Sequence, residues 1–163
     1  MKRISFKDSG GLNLTRAVLE GRKTMTRRAV TEQVEKNAME CSSLCSTTYL
    51  MRREKLAYIL EHSPYKVGDV VAIHGATHHI RITDVLAERL QDISDEDCLR
   101  EGVQPVWDTT TEPHRVRSYY FDGADYVYKT PSEAFAALAD KVSGRGTWDS
   151  NPFVRVYSFE LVD

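Results

Sequence analysis

Nine residues near the amino terminus, Glu20 to Arg28 (EGRKTMTRR), concentrate side chains that could do chemistry. Four are cationic, Arg22, Lys23, Arg27 and Arg28, and Thr24 and Thr26 lie among them. The whole chain carries a formal net charge of -2, so the cluster runs against the background. From Arg16 to Lys36 there are six basic and three acidic residues; from Glu88 to Glu101 there are two basic and six acidic. A locally basic segment can meet phosphates even when the total charge is negative. On an extended strand Thr24 and Thr26 share a face with Arg22 and Arg28, and a surface of guanidinium and hydroxyl groups suits phosphate and sugar. The plainer alternative is a solvated basic edge strand, whose charge discourages edge-to-edge pairing. A catalytic pairing of Lys23 with Thr26 carries a geometric condition. Residues three apart on a regular strand point to opposite faces, so the chain between Gly21 and Met25 must turn or bulge before it extends.

The elements that must hold this segment can be read on either side of it. Lys2 to Phe6 alternates as a half-buried strand does. Leu14, Ala17 and Val18 share one helical face, and Gly21 stands where a left-handed residue ends a helix. Thr31 to Thr48 has little periodicity and reads as a long loop. Tyr49 to Leu60 reads as a helix ended by Pro64. Val67 to Ile73 and His79 to Leu86 form a hairpin through Gly75, with Ile80, Ile82 and Asp84 alternating on one face. Ser94 to Glu101 is a short helix with a capping box, Ser94 and Asp97, that meets Gly102 and carries Glu101 at its end. Pro105 to Pro113 reads as loop, and Tyr119 to Tyr128 as a strand pair around Asp122-Gly123. Thr130-Pro131-Ser132-Glu133 starts a helix with Phe135, Leu138 and Val142 on one face and Gly144 at its close. Asn151-Pro152 turns into a last strand, Phe153 to Val162. Strands and helices do not alternate regularly, which indicates one α+β domain: a small barrel or curled mixed sheet with helices packed on it.

Other chemistries are poorly supported. The chain has 163 residues, 41% hydrophobic and 28% charged, enough for one domain with a real core. Apolar runs such as Val70 to Ile73 are far too short to span a membrane. MKRISFKDSG has no apolar stretch behind its charges, so a secretory signal is not expected and the cytoplasm is the expected compartment. Three cysteines, Cys41, Cys45 and Cys98, do not make a disulfide framework. His74, His78 and His79 cluster around a turn without convergent cysteine or carboxylate ligands, so no metal site is expected. A nucleophilic Cys–His pair would require Cys98 or Cys45 to meet a histidine in space. Dinucleotide-binding, P-loop and HExxH patterns are absent, and no cofactor is indicated.

GRKTMTRR, Gly21 to Arg28, resembles the G-[RK]-K-T-x-T-x-R signature of the ASCH superfamily, a relative of the PUA RNA-binding fold. The lead-in helix LTRAVLEGRKT, the strand YKVGDVV from Tyr65 to Val71, the block Ile80 to Val103 and the closing strand Asn151 to Val162 resemble further parts of that pattern in the same order. The likeness covers most of the chain and is nearest to uncharacterised ASCH proteins of phages and prophages. It implies a PUA-like small mixed β-barrel with flanking helices, a single domain over residues 1–163, and a cleft beside the basic segment. Against the small amidohydrolases of the superfamily the extra length falls around 31–60 and 103–142, where insertions could cap the cleft or cover it.

One branch of the superfamily removes acetyl from N4-acetylcytidine. By motif position the resemblance implies Thr26 as nucleophile, Lys23 as base and Glu101 as the completing carboxylate. A threonine hydroxyl needs a base to take its proton, and lysine serves if burial or neighbouring cations lower its pKa. Arg22, Arg27 and Arg28, with Thr24, are the expected ligand contacts, and Tyr65 or Trp107 could stack on a base. Two alternatives stay open: an RNA- or nucleotide-binding module, and a ribonuclease working through the same basic cleft. RNA, a nucleotide or a modified nucleoside is the expected partner in every case.

Overall fold

Leu14, Ala17 and Val18 bury one side of a short helix, α1 (Leu14–Leu19), in a computed structural model that describes residues 1–163. Gly21, at φ +71°, supplies the left-handed residue that ends it. The Gly21 amide donates to the Val18 carbonyl at 3.0 Å and the Arg22 amide to the Ala17 carbonyl at 2.9 Å. This paired closure satisfies the helix's last carbonyls and fixes the direction in which the basic segment leaves.

Five strands form one sheet: β1 (Arg3–Ile4), β2 (Met25–Ala29), β3 (Val70–Ile73), β4 (His79–Arg89) and, last in the chain, β7 (Phe153–Leu161). Their order across the sheet is β1-β3-β4-β7-β2, with only β1 and β3 parallel. The expected hairpin is present as β3–β4, and a register shift between Ile82 and Asp84 leaves Asp84 exposed instead of inward. The sheet curls. Its two edges, β1 and β2, approach closely enough for the Arg28 guanidinium to donate to the Ser5 carbonyl, and Arg28 Cζ lies 5.7 Å from the Phe6 ring centre. No ladder joins those edges, so the sheet is not a closed barrel.

β7 lies between β4 and β2 and is buried on both faces over seven consecutive residues. Val154 and Val156 face the main core with Ile4, Val71, Ile80 and Ile82. Phe153 joins a second, smaller core with Val30, Ala38 and Ile59. That second core belongs to two helices, α2 (Glu32–Ser42) and α3 (Thr48–Glu61). Helix α2 corrects the reading of 31–48 as loop. Thr31 caps it by accepting from the Val34 amide, but only Ala38 and Ser42 are buried, too narrow a stripe to register as periodicity. Arg155 closes the far end of α3, donating to the Ile59 carbonyl at 2.9 Å and the His62 carbonyl at 3.1 Å.

The short helix α4 (Asp95–Arg100) has its Ser94 cap and ends at Glu101, as its sequence indicates. Residues Gln104–Asp108 form a strand, β5, where a loop was expected, and pair with β6 (Arg115–Tyr120) as a separate two-stranded ribbon. Pro105 is tolerated because a free ribbon has open edges. The pairing expected around Asp122-Gly123 shrinks to one bridge, Tyr119 with Tyr128. Helix α5 (Pro131–Ser143) starts at its Thr130 cap and buries Phe135 and Leu138; a one-turn helix, α6 (Thr147–Ser150), follows. The architecture is a mixed α+β arrangement of one five-stranded sheet, a ribbon and six helices.

Candidate active site

The turn demanded by the spacing of Lys23 and Thr26 is present. The Lys23 amide donates back to the Ala17 carbonyl at 3.0 Å, and the Thr24 amide to the Arg100 carbonyl at 2.9 Å. Strand β2 starts only at Met25. Lys23 therefore sits in the turn, outside strand alternation, while Thr26 and Arg28 share one face of β2. Gly102, at φ +111°, ends α4 against this turn, and a Cβ there would lie 4.0 Å from the Lys23 Cβ.

Lys23 is buried, with 3% of its side chain exposed, and Glu101 has 5%. The Lys23 Nζ donates to Glu101 Oε2 at 2.6 Å and to the Glu101 main-chain carbonyl at 2.9 Å. The other carboxylate oxygen, Oε1, accepts from Arg27 Nη1 at 3.1 Å. Arg27 also reaches Glu88 Oε1 at 2.7 Å and Asp97 Oδ2 at 3.0 Å through Nη2. Glu101 is thus shared by two buried cations, and three carboxylates surround one guanidinium. Burial pushes the Lys23 ammonium below the ordinary lysine range; Glu101 opposes that shift, while Arg28 and Arg27 add to it. Burial works in the same sense on Arg27, but Glu101, Glu88 and Asp97 outweigh it and raise its pKa.

These groups open onto a cavity of about 390 Å³, within the range of small-molecule sites. It lies at the unzipped seam between the sheet edges. Ser5 to Lys7 and Thr26 to Ala29 line it from the two edges, together with Lys23 and Glu101. Phe135, Leu138, Ala139 and Val142 of α5 make an apolar wall. The second insertion, 103–142, therefore helps build the cavity, whereas α2 and α3 of the first contribute no lining residue. Thr26 is only 5% exposed and its side chain makes no hydrogen bond within the chain, so its hydroxyl is free for a ligand.

Of the residues expected at the site, Lys23, Thr26, Arg27, Arg28 and Glu101 line this one cavity. Arg22, Thr24 and Tyr65 do not. Arg22 pairs with Glu20 at 2.7 Å and Asp122 at 3.1 Å. Thr24 is held by its backbone, its carbonyl accepting from the Phe159 amide at 2.9 Å. Tyr65 packs edge-on against Tyr157 and donates its hydroxyl to the Arg3 carbonyl at 2.7 Å, which removes it as a stacking platform in the cavity. Trp107 stands exposed on the ribbon. Cys98 is fully buried, and burial together with Asp95 pushes its thiol up to about 12, so it offers no thiolate. No group of histidines, cysteines and carboxylates converges as a metal site.

Two parts of the site escaped sequence reading: the α5 wall, and Glu88 and Asp97 as partners of Arg27. The second had a visible signal, since the acidic block from Glu88 to Glu101 opposes the basic block in sign and nearly equals it in size. No protein-family model, curated protein or solved structure matches the chain, and no helix is long and apolar enough to cross a membrane.

Proposed function

We propose that the chain is a hydrolase acting on an acylated nucleoside or nucleotide, resembling the N4-acetylcytidine amidohydrolases of the ASCH superfamily in a PUA-like fold. The observation that carries this reading is the buried Lys23–Glu101 pair at 2.6 Å, opening onto the same cavity as the unpartnered Thr26 hydroxyl. In the reaction, Thr26 Oγ1 attacks the amide carbonyl carbon while neutral Lys23 takes the hydroxyl proton. The tetrahedral adduct collapses with cleavage of the carbon–nitrogen bond, and Lys23 returns that proton to the departing exocyclic amine. The acyl group is then an ester on Thr26. Water attacks it, Lys23 again takes the proton, and collapse releases the carboxylic acid and restores the hydroxyl. Glu101 fixes the Lys23 amine in position, and burial supports the neutral form that a base requires.

An RNA-binding module or a ribonuclease would need its cations free to meet phosphates. Arg22, Lys23 and Arg27 are already paired with carboxylates, which leaves Arg28 as the one cation of the segment without an ion pair and favours a single small ligand over an extended RNA backbone. The test is release of acetate and cytidine from N4-acetylcytidine by the purified protein and by Thr26→Val. The wild type releases both, and the variant loses at least ~10³-fold in rate while melting as the wild type does. Absence of any release by the wild type, or a Thr26→Val protein of unchanged rate, would overturn the reading.

A further inference from the structure

The lining of the cavity is unbalanced in charge. Its ionic side chains are Lys7, Lys23, Arg27, Arg28 and Glu101, and Arg27 is also paired with Glu88 and Asp97 outside the lining, so the charges left unanswered are those of Arg28 and Lys7. Glu101 is consumed by Lys23 and Arg27. Neither Arg28 nor Lys7 makes an ion pair. Arg28 has only the Ser5 carbonyl at Nη2, and its Nε is buried with no partner at all. Lys7 Nζ meets only main-chain carbonyls, Lys141 at 2.8 Å and Val142 at 3.1 Å, at the last turn of α5. A half-buried guanidinium with no counter-ion and a buried, unpartnered Nε is costly to maintain in the empty protein. Burial accordingly lowers the Arg28 pKa, with partial opposition from Tyr65 and Glu101. Arg28 is also two residues from Thr26 on the same strand face, and both line the cavity.

We infer that the cavity takes a phosphorylated ligand, a nucleoside monophosphate, with its phosphate held by Arg28 and Lys7 and its base end directed toward Thr26. The nucleoside part of this assignment rests on the hydrolase reading; the phosphate part rests on the unneutralised cations. The arginine fork supplies paired donors to phosphate oxygens, and Lys7 adds a point charge.

The test is calorimetric titration with cytidine 5′-monophosphate, cytidine and inorganic phosphate, using wild type, Arg28→Gln and Lys7→Gln, alongside hydrolysis of N4-acetylcytidine and its 5′-monophosphate. The wild type binds the monophosphate about tenfold or more tighter than cytidine, a difference of one charge-assisted contact. Arg28→Gln removes most of that preference while cytidine binding is retained, Lys7→Gln reduces it, and added salt weakens only the phosphorylated ligand. Equal binding of monophosphate and nucleoside by the wild type, or a preference untouched in both variants, overturns the assignment. Phosphate alone binding as tightly as the monophosphate overturns the nucleotide class. Turnover of N4-acetylcytidine without a phosphate preference sinks this inference and leaves the hydrolase standing. Arg28-dependent monophosphate binding without turnover of either substrate does the reverse.

Discussion

Replacing Glu101 by glutamine tests the electrostatic core of the site. The carboxylate is shared by Lys23 at 2.6 Å and Arg27 at 3.1 Å, and its side chain is 5% exposed, so solvent screens little of the interaction. The Glu101→Gln change would leave Lys23 with carbonyl acceptors and no opposite charge. Breaking a buried pair by removing one partner costs about 3–5 kcal/mol. For a chain of this length that corresponds to a melting point lower by about 6–20 °C. Lys23→Met is predicted to cost less, about 1–3 kcal/mol, because Glu101 keeps Arg27. The double variant should be more stable than Glu101→Gln alone, since Arg27 retains Glu88 and Asp97 and no buried charge is stranded. Thermal and urea unfolding followed by circular dichroism measure all three. A Glu101→Gln protein within about 1 kcal/mol of wild type, or one more stable than Lys23→Met, would refute the view of Glu101 as shared counter-ion.

Two further predictions follow from packing and protonation. Burial sets the Lys23 pKa below its unfolded value of about 10.4, so kcat/KM on N4-acetylcytidine should rise with pH as Lys23 loses its proton, along a limb below that value. Between the folded and unfolded values the native state binds fewer protons than the unfolded chain, so stability also rises with pH there; a flat profile in both measurements would refute the assignment of Lys23 as a buried base. Ile59→Ala should cost about 2–5 kcal/mol by emptying the small core of α2 and α3, yet leave KM unchanged, because neither helix lines the cavity; a shifted KM would show that the two cores are coupled.

Much of the fold is legible where the local signals agree. Thr130 with Pro131, Ser94 with Asp97, and Gly21 after an apolar helical face each name a helix end, and each is realised. Helix α2 is not legible because its burial rests on two small residues, Ala38 and Ser42. The ribbon β5–β6 was hidden by Pro105, which argues against a strand unless its edge is free. At the site, Lys23 and Thr26 stand out in the basic segment, but Glu101 was nameable only through resemblance to a motif, since residues 23 and 101 are 78 positions apart and local pattern cannot join them. Tyr65 misled because an aromatic near a cleft serves core packing at least as readily as stacking. The wall of α5 was visible as a helix face, but which neighbour that face covers is a tertiary fact.

The seam between β1 and β2 gives the cavity a mechanical character. Most ligand sites are dents in a finished scaffold, whereas this one occupies the gap where the sheet stops short of closing, spanned by the Arg28 guanidinium on the Ser5 carbonyl and the Phe6 ring. Whatever fills it becomes a rivet between the first and last strands in the sheet order. Occupancy should damp breathing along the whole strand array, slowing amide exchange in β1 and β2 together although no ladder joins them. At a hundredfold excess over its dissociation constant a ligand adds about 2.7 kcal/mol to stability, so the melting curve of this protein is itself a detector for the molecule that fits it.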